Sequence, residues 1–69
     1  MKISARNQLK GTIIEIHKGA TTAHVSIALP GGAVVMASIT NEAVDELGLG
    51  MGMAATAIVK ASDVMVGVD

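Results

Sequence analysis

Two short polar strings, Ser4-Ala5-Arg6-Asn7-Gln8 and Lys60-Ala61-Ser62, each bring cationic and hydroxyl donors together within a few residues, the first with two amides beside them. Arginine presents a planar fork of N–H donors, lysine a mobile point charge and serine a hydroxyl. An alanine in each string lets backbone N–H groups come close to a bound ion. Such a set of donors suits a tetrahedral oxyanion. The strings lie about fifty residues apart, so the site exists only where strands from the two ends, or from two copies of the chain, lie side by side.

Other chemistries have weaker support. The acids are Glu15, Glu42, Asp45, Glu46, Asp63 and Asp69, and no Ser, His and acid combine in a nucleophile motif. No catalytic residue is assigned and the chain reads as a non-enzyme. The spacing of His17 and His24 fits no strong metal motif, so they read as surface or interface histidines. No metal is expected to be ligated directly by side chains. Gly48, Gly50 and Gly52 resemble a phosphate loop only superficially, because Met53-Ala54 follows where a Gly-Lys-Ser/Thr run is needed. There is no Phe, Tyr or Trp, which removes the stacking platforms of single-strand nucleic-acid binders. No apolar run approaches the roughly 18 residues that span a bilayer, and the first residues are polar where a signal peptide is apolar. The expected setting is cytoplasmic, with no membrane and no nucleic acid as partner.

Size bears on how the chain is stabilised. A 69-residue chain has room for one domain and a marginal core, and without Cys it has no disulfides to reinforce it. With 51% hydrophobic residues and a mean hydropathy of +0.58, it carries more apolar surface than a small monomer hides. Self-association is therefore expected. The net charge of −1 gives no overall field for a polyanion, but Lys2, Arg6, Lys10 and Lys18 gather early, which suits a small anion.

The elements that must position these residues read as strands. Residues 9–17 are rich in β-branched types, with Gly11 marking a bulge or a close backbone approach. Residues 23–29 alternate, with Ala23, Val25, Ile27 and Leu29 on one face. Pro30-Gly31-Gly32 makes a turn and residues 33–40 return as a third strand. The period then becomes helical over 41–47, with Ala43, Val44 and Leu47 on one side, Thr40 or Asn41 as N-cap and Gly48 just past the end. A fourth strand over 53–60 and a fifth over 64–68 complete an all-β fold: a small OB-like five-stranded barrel with one short helix between strands 3 and 4.

The sequence also resembles the Mop family of molybdate-binding proteins, the molbindins, over residues 1–69 as a single Mop/TOBE-type domain. The likeness rests on Ser4-Ala5-Arg6-Asn7-Gln8-Leu9-Lys10-Gly11, on Ile39-Thr40-Asn41-Glu42-Ala43-Val44, on Leu47-Gly48-Leu49, and on Ala57-Ile58-Val59-Lys60-Ala61-Ser62-Asp63-Val64. It implies a cytoplasmic homohexamer, a trimer of dimers, that binds and stores molybdate or tungstate at subunit interfaces without changing it, and that uses no cofactor. By that resemblance Arg6 and Lys60 supply charge, Ser4 and Ser62 hydroxyls, and Ala5 and Ala61 backbone N–H groups, the two strings coming from neighbouring subunits. Thr40 adds a hydroxyl at the mouth of the helix. Many members carry Ser three positions after that Thr, where this chain has Ala43. The loop Gly19-Ala20-Thr21-Thr22 is implied as a second oxyanion site near the three-fold axis. Two readings of other classes stand beside this one: an anion-sensing regulatory or assembly module acting through a protein partner, and an OB-type nucleic-acid binder.

Overall fold

In a computed structural model covering residues 1–69, the chain forms β1 (Asn7–Lys18), β2 (Thr22–Ala28), β3 (Val34–Thr40), α1 (Asn41–Glu46) and β4 (Ala54–Val59). The four strands make one antiparallel sheet in the order β3-β2-β1-β4. The 12-residue β1 serves both neighbours. Its first half pairs with β4 from Asn7↔Val59 to Thr12↔Ala54, and its second half with β2 from Thr12↔Ala28 to Lys18↔Ala23.

Two features of β1 curl the sheet. At Gly11 the backbones come so close that a Cβ would fall on the Ala28 carbonyl oxygen and lie 2.8 Å from Ile27 Cγ2. Of the two meanings expected for this glycine, close approach is the one observed. The bulge falls three residues later. Ile13 pairs with Ile27 but Glu15 with Ser26, so Ile14 is the unpaired residue. An extra residue resets the pleat: Ile13 and then Ile16 face the concave side, while Glu15 and His17 turn to the convex side. The concave side holds the core of Ile13, Ala23, Val25, Ile27, Val44 and Ala57.

Helix α1 is bounded by its own sequence. Thr40 is the N-cap and its hydroxyl accepts from Ala43 N–H at 3.0 Å. Past the end, Gly48 adopts φ +64°. Its N–H donates to Asp45 O, and Leu49 N–H donates to Val44 O, the paired bonds of a Schellman ending, which is easiest for glycine. Val44 is the helix's buried contribution to the core.

The expected fifth strand is absent. After β4 the chain enters a 3-10 turn over Ala61–Asp63, and Val64–Val68 joins no ladder. Alternation of Val64, Val66 and Val68 gives a strand only where an edge is available to pair with, and the turn carries this segment off the sheet. Met65, Val66 and Val68 are left 93%, 89% and 94% exposed. The sheet is therefore a curled half-barrel of four strands with β3 and β4 as free edges, and not a five-stranded closed barrel. Its concave side holds an open apolar cavity of about 350 Å³, lined among others by Val35, Ala37, Ile39, Leu49, Ala57 and Val59.

Candidate functional site

Antiparallel pairing of β1 with β4 decides where the two polar strings go. Asn7, the first residue of β1, is opposite Val59, the last of β4. The residues just before one and just after the other therefore leave the same end of the sheet next to each other. Ser4-Ala5-Arg6 and Lys60-Ala61-Ser62 thus leave adjacent strands of one chain, whereas the resemblance draws them from neighbouring subunits. Side chains reinforce the junction: Asn7 Nδ2 donates across the pair to Val59 O at 3.2 Å, and Gln8 Nε2 folds back to Ala5 O at 2.9 Å. Asn7 and Gln8 belong to the string as it reads in sequence, but their work as positioning residues emerges only from the register.

This end of the sheet is rich in uncommitted donors. The 3-10 turn uses Asp63 N–H to Lys60 O and Val64 N–H to Ala61 O. That leaves the N–H groups of Ala61 and Ser62 at the start of the turn without backbone partners, as the first N–H groups of any helix are. Ala5 and Arg6 N–H groups make no backbone bond either. Ser4, Arg6, Lys60 and Ser62 are exposed and Ala5 half-buried. Neither Arg6 nor Lys60 is ion-paired, since the one salt bridge joins Lys18 to Asp45. Two cations without an ion pair, two hydroxyls and several N–H groups without backbone partners thus leave the same end of the sheet, with Asp63 in the same turn.

Thr40 lies elsewhere. It ends β3 opposite Thr22, at the far end of the sheet from Arg6 and Lys60. About 36 Å of β1 contour, at roughly 3.3 Å per residue, separates the two ends. There Thr40 meets the loop Gly19-Ala20-Thr21-Thr22. Asn41 N–H donates to Thr21 O at 2.9 Å and Asn41 Nδ2 to Gly19 O at 2.9 Å, while Thr21 and Thr22 hydroxyls sit 3.5 Å apart. Lys18 Nζ bonds Asp45 of α1 at 2.6 Å, an exposed pair that contributes little by itself. The structure thus gathers the candidate residues into two groups, one at each end of the sheet, with Thr40 in the group of the loop. Asn41, which pins that loop to the helix, is a residue the sequence marks only as an alternative cap.

Comparison with known proteins bears on what these groups do. Residues 3–66 match the TOBE domain family. The chain is 51% identical over its full length, and that of its relative, to a probable molybdenum-pterin-binding protein of Haemophilus influenzae. It is 50% identical over 66 residues to the molybdenum transport protein ModE of Herbaspirillum seropedicae, spanning 96% of this chain but only 24% of that protein. Among solved structures it superposes on MopII from Clostridium pasteurianum with a TM-score of 0.92 at 43% identity, covering 97% of this chain and all of MopII. On the cytoplasmic molybdate-binding protein ModG, in a form with molybdate bound, the TM-score is 0.95 at 48% identity over all of this chain and 49% of ModG.

Proposed function

This chain belongs to the TOBE domain family, alongside the Mop molybdenum-pterin-binding proteins, and from that premise we propose that it binds molybdate or tungstate as the intact oxyanion, between subunits of a homo-oligomer. The observation that carries the reading is the Asn7↔Val59 register, which sets Ser4-Ala5-Arg6 beside Lys60-Ala61-Ser62. Arg6 and Lys60 neutralise the dianion, Ser4 and Ser62 donate hydroxyls, and the Ala5 and Ala61 N–H groups complete the cradle. Hydrogen bonds to a charged group contribute about 1.5–3 kcal/mol each. About six of them, less desolvation and ordering, are compatible with micromolar or tighter affinity.

Association supplies what one chain lacks. The Arg6–Lys60 end is open to solvent, and Thr40 stands at the opposite end. A second copy that brings its Thr40 and helix mouth against the Arg6–Lys60 end closes the site. We read the assembly as a homohexamer, a trimer of dimers, in the cytoplasm, with the loop of Gly19, Ala20, Thr21 and Thr22 forming a second anion site near its three-fold axis. The role is binding and storage, and the ion leaves chemically unchanged.

Titration calorimetry with molybdate and tungstate tests this directly, with sulfate as the control anion. Saturable heat and a rise in melting temperature are expected with the first two, because a ligand held only by the assembled native state stabilises it by mass action. No heat and no shift with either ion would overturn the reading.

A further inference from the structure

The two histidines lie seven residues apart in sequence, a spacing that matches no metal motif, but β1 and β2 form a hairpin and their register makes His17 and His24 direct cross-strand partners. Directly opposed residues of an antiparallel pair project from the same face with Cβ atoms about 4.5–5.5 Å apart. That separation lets two imidazoles converge on one ion. The Ile14 bulge is what makes this possible, because it turns Glu15 and His17 to the convex face that β2 presents through His24. Both histidines are exposed, and neither imidazole takes part in a hydrogen bond or ion pair within the chain. Lys18, the adjacent cation, points to the other face and is held by Asp45.

We propose that His17 and His24 form a two-imidazole chelate for a divalent transition-metal ion on the convex face of the β1–β2 hairpin. No third His, Cys, Asp or Glu completes a cluster there, so water fills the remaining positions and the ion exchanges freely. Imidazole ligands favour Cu(II) over Ni(II) and Zn(II) in the usual order of stability for this series. The site stands apart from the Arg6–Lys60 oxyanion site in ligand, charge and position, and borders the Gly19–Thr22 loop on the sheet face: a nitrogen pair for a cation, against a cationic donor set for an anion at the opposite sheet end.

The test uses the full chain and Cu(II) alone, with no oxyanion present, so that its result is independent of molybdate binding. Calorimetry is expected to give one Cu(II) per chain, and the electron paramagnetic resonance spectrum two equatorial nitrogens. Because the two ligands act as one chelate, H17Q or H24Q alone should weaken binding by about tenfold or more and reduce the spectrum to one nitrogen. The double variant should lose the site. Both side chains are exposed, and circular dichroism checks that the sheet is kept; either single variant suffices if the other fails to fold. Absence of Cu(II) binding by the native chain, a one-nitrogen spectrum in it, or unchanged affinity in a folded single variant would each overturn the proposal.

Discussion

Arg6 and Lys60 are the two cations of the proposed oxyanion site, and neither has an acidic partner within the chain. Their charge is free for a ligand. Arg6→Ala removes a fork of donors to a dianion, so molybdate affinity should fall by about ten- to a hundredfold, the equivalent of roughly 1.5–3 kcal/mol. Arg6 is exposed, so the variant should stay folded. Arg6→Lys should recover little, because a point charge does not reproduce the planar fork. Calorimetry on the three proteins checks this, and wild-type affinity in Arg6→Ala would move the site elsewhere. The donor types of this site are legible in the sequence, because charge, hydroxyl and a small neighbour are properties of residues. Their partnership is not, since it depends on which residue of β4 faces Asn7. Nor is the separation of Thr40 from them: the resemblance joins it to Arg6 and Lys60, and the fold of one chain sets it with Thr21 and Thr22 at the other end.

At the scale of elements, alternation in residues 23–29, the Pro-Gly-Gly turn and the change to a helical period are local properties, and β2, β3 and α1 fall within a residue or so of where they read. The bulge at Ile14 has no such signature, because Ile-Ile continues a β-branched run through it. Two substitutions probe these elements. At Gly11 a Cβ meets backbone, which cannot rotate away as a side chain can. Gly11→Ala should therefore destabilise by about 1–3 kcal/mol or more, as overpacking does, read as a lower midpoint in urea. Thr40→Ala loses the cap to Ala43 N–H, which costs about 1 kcal/mol, while Thr40→Ser keeps that bond and should restore most of the stability. If Thr40 also donates to the anion, Thr40→Ser restores molybdate affinity along with it. Recovery of stability without recovery of affinity would confine Thr40 to capping.

The whole molecule has seven buried residues out of 69, too few to account for its composition. Of the exposed large apolar residues, Met36, Leu47 and Ile58 line the concave cavity and Val64, Met65, Val66 and Val68 lie in the tail, while the remainder are scattered over the surface. The tail keeps the alternation of a strand but pairs with neither free edge of its own chain, because the 3-10 turn at Ala61–Asp63 carries it off the sheet, which is why the sequence reads it as a fifth strand and one chain does not form it. An exposed strand-like segment and an unpaired edge are each a template for another chain. The two together are where the proposed homo-oligomer would bury the chain's surplus apolar surface. Val66→Asp with Val68→Asp places two charges in that exposed tail, which joins no strand of the sheet. Light scattering should then give a smaller particle than the native assembly, while circular dichroism retains the β-sheet signal. Molybdate should partly reverse the change, because an ion held between subunits favours their association. An unchanged mass would show that the tail lies outside the interface and that the cavity and edges are covered by other means.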